Sequence, residues 1–399
     1  MTFLLLIAGL LLLTLGADVL VRGSVRLSAR FGIAPLIVGL TVVAFGTSAP
    51  ELAVSIQSIV LGRDAISLGN ALGSNIFNVL ATLGIASIIA PLSVSQQLVR
   101  LDVPLSIGVS CLVLLFSLDG RLHQTDGFVL LAGIITYTVF MFIKGRKQGN
   151  GDESLDDYER EYGAIANSSV IQWAQDFALV AVGIGMLVGG SKLLVDNAVV
   201  LARSWGMSEL VIGLTIISVG TSLPELATSV VASFKGERDI AVGNVIGSNL
   251  FNLLGVLGVA ASLTPAGLPV PIDALTFDIP VALVVAVACL PIFFSGYTID
   301  RWEGALFLGY YVAYMSYLVF KSTSNAMLPL FTTAMWGFAF PLTAITLGIL
   351  AWRGWRDRQS RIQERSGQEH KAKAVSPNES PESSQQSRKS PSQFPPEST

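Results

Sequence analysis

The 399 residues are 52% hydrophobic and only 13% charged, with a formal net charge of −3. Such a composition excludes a water-soluble globule, and the small net charge, confined to loops and the tail, says little about charged partners. Two cysteines, Cys111 and Cys289, and two histidines, His123 and His370, leave no disulfide framework and no cysteine- or histidine-rich metal motif.

About 20 apolar residues cross a bilayer as a helix. Eleven candidate spans follow one another near 3–21, 34–60, 66–91, 102–118, 126–143, 174–202, 208–234, 240–264, 276–296, 302–320 and 328–352. The first, FLLLIAGLLLLTLGA, has the apolar core of a signal peptide. It lacks a positive n-region, however, and its distal Gly16, Leu20, Val21 and Leu27 recur as Gly190, Leu194, Val195 and Leu201. It is therefore read as a retained helix.

That recurrence belongs to an internal duplication. Residues 44–55 read AFGTSAPELAVS and 218–229 read SVGTSLPELATS; 69–80 read GNALGSNIFNVL and 243–254 read GNVIGSNLFNLL. One offset relates both pairs, since 225 − 51 = 174 and 252 − 78 = 174, and it holds without a gap from Gly16/Gly190 to Gly84/Gly258. The expected organisation is a first membrane repeat over 1–144, an acidic linker over 145–172, a second repeat over 173–320, an extra transmembrane helix over 327–353 and a disordered tail over 357–399. The tail is Ser-, Pro-, Gln- and charge-rich and cannot bury enough apolar surface to offset ordering entropy. The linker's GDESLDDYEREY lacks the spacing and central glycine of a calcium-binding EF-hand loop.

Five spans per unit force the second copy to enter the membrane inverted, the plan of many secondary transporters with ion sites near the midplane. The fold class is thus an all-α membrane protein, an inverted repeat of two five-helix units plus an eleventh transmembrane helix. Arg22, Arg26, Arg30, Arg100, Lys144, Arg146, Lys147, Arg160, Lys235, Arg238, Arg301 and Arg353 onward then share one side, against Arg63, Arg121, Arg203 and Lys321 on the other. The positive-inside rule places the N-terminus outside and the linker and tail in the cytoplasm.

The chemistry sits where lipid tolerates it least. Pro50 deprives the Gly46 carbonyl of its helical partner and bends the chain; Pro224 does the same to Gly220. Freed backbone oxygens survive at membrane depth only inside protein or along a cavity. Thr47 and Glu51 lie four apart on one helix face, as do Ser74 and Asn78, and Ser248 and Asn252. Gly69, Gly73, Gly243 and Gly247 suit close helix packing. Superposing inverted copies brings Glu51 and Glu225 together with both Ser/Asn pairs. This gives an all-oxygen set of the kind calcium takes, with no thiolate or imidazole for zinc or copper. Two such carboxylates cannot both stay ionised in low dielectric without a cation or a proton. Single Ser, Thr and Asn residues are equally at home as interhelical glue. Asp18 and Lys192, aligned but unlike, read as structural or interfacial; Asp102, Asp278 and Asp300 at span ends read as solvated.

These motifs resemble the calcium/cation antiporter superfamily, sodium/calcium exchanger type: GTSAPEL and GTSLPEL are similar to its alpha-repeat signatures, and GSNIFN and GSNLFN to the halves that follow. The resemblance covers about residues 1–320. It implies a central calcium held by Glu51 and Glu225 with the backbone of Thr47 and Thr221. It implies flanking sodium positions using Thr47, Ser48 and Ser74 on one side and Thr221, Ser222 and Ser248 on the other. The carbonyls of Ala44 and Ser218 would join them, and Asn78 and Asn252 would line the middle. The GTSxPE form favours sodium over the GNxxE-like cassette of cation/proton exchangers. Some relatives, including some that co-transport potassium, carry Asp where this chain has Asn252.

The expectation is accordingly a transporter and not an enzyme. It would export Ca2+ in exchange for Na+ by alternating access, from the plasma (inner) membrane of a prokaryote, with no cofactor and no nucleic-acid partner. A Ca2+/H+ antiporter is the alternative, because paired glutamates can carry protons. An intramembrane hydrolase using two carboxylates as acid and base is remote, since no Asp dyad with flanking Gly and no Ser–His motif is present. A passive channel would draw a carboxylate ring from oligomer symmetry instead.

Overall fold

The computed structural model describes residues 2–148, 169–205, 216, 218–294, 296–346 and 348; the linker sequence GDESLDDYEREY and the tail over 357–399 lie outside them. The described chain is helical apart from four two-residue strands. In order it forms α1 (Thr2–Phe31), α2 (Pro35–Thr47), α3 (Ala49–Val60), α4 (Ile66–Ile89), α5 (Leu98–Phe116), α6 (Gln124–Gln148) and α7 (Val170–Ser204). Then follow a single turn, α8 (Ser218–Gly220), and α9 (Leu223–Phe234), α10 (Arg238–Leu263), α11 (Ala274–Phe294), α12 (Arg301–Ser322) and α13 (Leu328–Thr346). Among the described residues eight helices are long and apolar enough to cross a membrane, or nine if α2 and α3 count as one bent span. α12, with its tyrosines, and α9, at 12 residues, fall short of that measure.

Burial is unlike that of a soluble bundle. Every residue of the apolar stretch of α10 is buried and 78% of that of α4, against 22% for α6 and none for α13. α4 and α10, the helices carrying GNALGSNIFN and GNVIGSNLFN, are the centre, and the other spans present apolar side chains outward, as lipid requires. Gly243 and Gly247 let α10 lie against α2. A β-carbon on Gly243 would stand 3.0 Å from the Leu36 carbonyl oxygen, and one on Gly247 2.5 Å from that of Leu40. No described residue comes within 4 Å of such an atom on Gly69 or Gly73, so their expected packing role is not seen.

The first helices of the two repeats, α1 and α7, pack together along a glycine seam. A β-carbon on Gly16 would lie 3.0 Å from the Gly183 carbonyl oxygen, and one on Gly190 2.9 Å from that of Gly9. Small residues there admit backbone-to-backbone contact, which is how helices associate where water supplies no driving force. At one end of the seam Arg30 of α1 pairs with buried Asp176 of α7 and lies over the Trp173 ring. Asp18 pairs with Arg22 and with Lys235, just beyond α9, a structural role as expected.

Two strand pairs reveal how the repeats face each other. β1 (Leu92–Ser93), after α4, pairs antiparallel with β4 (Thr298–Ile299), after α11; β2 (Arg121–Leu122), after α5, pairs with β3 (Leu268–Pro269), after α10. Within the duplication β1 corresponds to β3 and β2 to β4, so each pairing maps onto the other when the repeats are exchanged. A two-fold relation between the units produces that pattern.

Candidate cation site

In both cassettes the bend takes the form of a full break. Ser48 (φ −85°, ψ 5°) and Ser222 (φ −89°, ψ 6°) leave helical geometry, and a new helix begins beyond each, turned by 40° in the first repeat. Pro50 and Pro224 fall in the first turn of these new helices, where a missing N–H costs nothing. Glu51 and Glu225 also lie in that first turn, at the positive end of the helix dipole.

A serine at a helix start usually turns its hydroxyl to its own backbone. Here neither does. Ser48 donates to Glu225 Oε1 (3.0 Å) and Ser222 donates to Glu51 Oε1 (3.0 Å), each crossing to the other repeat. Glu51 Oε1 also accepts from Ser74 (3.2 Å), which lies 2.8 Å from the Ser222 hydroxyl. Thr47 approaches Ser248 at 3.4 Å and donates to Asn244 Oδ1 (3.0 Å). The oxygens therefore group as Glu51, Ser74 and Ser222 around one carboxylate, and Glu225, Ser48, Thr47 and Ser248 around the other. The resemblance groups Ser48 with Ser74 and Ser222 with Ser248 as sodium ligands; in the hydrogen-bond pattern each cassette serine meets the carboxylate of the other repeat.

Glu51, Glu225, Ser48, Ser222, Ser248, Asn78 and Asn252 are fully buried, and Thr47, Ser74 and Ala44 are nearly so. Thr221 is half-buried and donates to Asn70 Oδ1 (3.3 Å). The Ala44 carbonyl accepts the Ser48 N–H at 3.0 Å, with the Thr47 hydroxyl at 3.4 Å. Ser218 opens α8, two residues before Gly220. Gly46 and Gly220 both lie under α7, the first against Ile184 and the second against Val195.

Four asparagines outside the sequence-derived set complete the frame. Asn70 donates to the Glu51 carbonyl (3.1 Å) and Asn244 to the Glu225 carbonyl (3.3 Å). Asn75 and Asn249 donate to each other's carbonyls at 3.2 and 3.3 Å. Asn78 then donates to Asn249 Oδ1, and Asn252 to Asn75 Oδ1, both at 3.1 Å. The signal was present, since 244 − 70 = 174 and 249 − 75 = 174. Each new bond has a counterpart under exchange of repeats. Both Asn78 and Asn252 open or immediately follow the start of a wide, π-type stretch, Asn78–Leu83 and Phe251–Val256, a bulge often found at functional sites.

Asp102 corrects an expectation. It is fully buried, not solvated, and accepts from Tyr137 (3.1 Å) and Gln97 (3.3 Å). Asp278 is half-buried and accepts from Tyr314 (3.2 Å), the matching pair in the second repeat. Asp300 caps α12 with Glu303 in a capping box and is exposed. These groups link helices and belong to no described cation set.

Among the described residues nine buried side-chain oxygens have no hydrogen-bond partner; five are hydroxyls of Ser24, Ser55, Ser67, Thr82 and Thr228, and the other four are Glu51 Oε2, Glu225 Oε2, Asn78 Oδ1 and Asn252 Oδ1. Native structures leave few such groups, and each calls for an explanation. Those last four, unlike the hydroxyls, can only accept; they come from equivalent positions, and they fit hard-cation ligation.

Fold and site together define an integral, multi-pass membrane protein of duplicated helical units around buried oxygens. The chain belongs to the sodium/calcium exchanger family: the sequence profile described as "Sodium/calcium exchanger protein" matches residues 1–143 and 176–320. It is 39% identical over 286 residues to the inner membrane protein YrbG of Escherichia coli, covering 71% of this chain and 86% of the relative. It is 30% identical over 346 residues to the sodium/calcium exchanger MaX1 of Methanosarcina acetivorans, covering 80% and 98%. The solved structure of the sodium-calcium exchanger NCX_Mj soaked with zero Na+ and Ca2+ is similar, with TM-score 0.66, 29% identity, and coverage of 78% of this chain and 96% of that one. The protein is thus a cation transporter and not an enzyme.

Proposed function

We propose that this chain exports Ca2+ in exchange for Na+ by alternating access. The observation that carries the reading is the set of four partnerless buried acceptors on Glu51, Glu225, Asn78 and Asn252. A buried acceptor without a donor is costly, and a cation satisfies several at once. Two carboxylates match the charge of one Ca2+, whereas sodium ions can be shared between the two hydroxyl groups of oxygens. Glu51 and Glu225 would bind calcium centrally, with the backbone of Thr47 and Thr221. One sodium position would draw on Ser74 and Ser222, the other on Thr47, Ser48 and Ser248, with the Ala44 and Ser218 carbonyls completing them. Asn78 and Asn252 contribute amide oxygens to the middle.

The name of the MaX1 relative and the GTSxPE cassettes support sodium as the coupling ion. The N-terminus would face outward and the tail the cytoplasm. Calcium uptake into inverted membrane vesicles, with sodium and pH gradients imposed separately, tests the reading. Uptake driven by outward-directed sodium alone is expected. Indifference to sodium with a full response to protons would establish the Ca2+/H+ antiporter instead.

A further inference from the structure

Pro224 removes the backbone donor that would pair with the Gly220 carbonyl, and in the structure a side chain takes that place. Ser191, buried on α7, donates its hydroxyl to the Gly220 oxygen. The equivalent of Ser191 in the first repeat is Ala17, since 191 − 174 = 17. Alanine offers no donor, so α1 cannot hold the Gly46 carbonyl in the same way. The exchange of repeats that relates Ser48 to Ser222 and Asn70 to Asn244 does not relate Ser191 to a donor in the first repeat.

The consequence reaches the cation site through two residues. Gly220 is followed by Thr221, which donates to Asn70, and by Ser222, which donates to Glu51 and lies beside Ser74. Val195 closes over Gly220 one helical turn beyond Ser191, so α7 holds this peptide from two points. At Gly46 the contact from α7 is the apolar side chain of Ile184 alone among the atoms that crowd it.

We propose that Ser191 is a positioning residue that makes the two hydroxyl groups of oxygens unequal. By fixing the Gly220 carbonyl to α7, it sets Ser222 against Glu51 and Ser74 and strengthens monovalent-cation binding on that side. Among the described residues the side built on Glu225, Ser48 and Ser248 has no such tether. This rests on the proposed cation role of the site. The Ser191 hydroxyl bonds to the Gly220 carbonyl and not to either glutamate.

The test is Ser191→Ala, with Ser191→Thr beside it, in purified protein reconstituted into vesicles. The half-saturating concentrations of calcium and of the coupling cation that drives the native protein, sodium by expectation, are measured separately. Ser191→Ala should raise that of the coupling cation on the order of fivefold, the effect of losing one hydrogen bond of ordinary net strength. Calcium half-saturation should stay within about twofold. Ser191→Thr, which keeps the hydroxyl, should restore near-native behaviour, which a purely packing role would not. Native cation dependence in Ser191→Ala, or equal impairment in the Ala and Thr variants, would overturn the proposal. Loss of the cation reading itself would show differently, as calcium flux surviving in Glu51→Gln or Glu225→Gln.

Discussion

The Ser48 hydroxyl lies 3.0 Å from Glu225 Oε1, and the two residues come from opposite repeats, 177 positions apart. Its mirror, Ser222 to Glu51, has the same length. Neither carboxylate is therefore served only by its own half of the chain. The site exists only when both repeats are folded together, which ties the chemistry of the cassette to the duplication of the fold.

Glu51→Gln and Glu225→Gln should each abolish calcium transport while leaving a folded protein. Removing one member of a buried charged constellation costs about 3–5 kcal/mol, or more than roughly a hundredfold in calcium affinity. Calcium flux in vesicles, with a monodisperse elution profile as the folding control, checks this. Wild-type flux in either variant would remove these glutamates from the site.

The crossed serines predict an equally crossed energetic coupling. In double-mutant cycles on calcium half-saturation, Ser48→Ala should couple to Glu225→Asp by about 0.5–3 kcal/mol and be nearly additive with Glu51→Asp. Ser222→Ala should show the reverse pattern. Coupling of each serine to the glutamate three residues after it would contradict the geometry.

Amides at both Asn78 and Asn252 leave no further carboxylate in the middle to bind potassium or a proton. Exchange should need no potassium, sodium should compete with calcium, and acid should inhibit because protons occupy the same glutamates. Asn252→Asp should alter cation preference or pH dependence without destroying transport. Strict potassium dependence of the native protein would count against this reading.

The strand pairs predict sidedness. Ser93 beside β4 and Asp119 beside β3 should lie on opposite faces of the membrane, so single cysteines there should react with an impermeant reagent from opposite sides. In intact cells Asp119→Cys should label, while Ser93→Cys, Ser154→Cys and Ser383→Cys should not. Labelling of Ser383→Cys alone would mean that the segment over 327–353 does not cross.

The glycine seam should tolerate no side chain. Gly183→Ala places a β-carbon 2.7 Å from the Leu20 backbone nitrogen, and such overpacking costs typically about 1–3 kcal/mol. Thermal unfolding in detergent should shift down for this variant, and far less for Gly185→Ala, where no described residue stands within 4 Å.

Much of this molecule was legible in its sequence because duplication writes the same constraint twice. The offset of 174 picked out Glu51 with Glu225 and Asn78 with Asn252, and apolar run lengths marked the helices. Both signals are local or depend only on register. The partners of each side chain were not legible. Asn75 and Asn249 share the offset, yet nothing along the chain says that they bond to each other's backbone. Ser48 and Ser74 sit in one repeat, yet Ser48 serves the other repeat's carboxylate. Asp102 reads as a span-end residue, yet it is buried with donors from Gln97 and from Tyr137 of α6. The donor on Gly220 comes from a helix 29 residues away. Sequence periodicity determines which face of a helix is polar. Which oxygen meets which carboxylate depends on how helices from two repeats cross and rotate about a shared axis, and only long-range packing decides that.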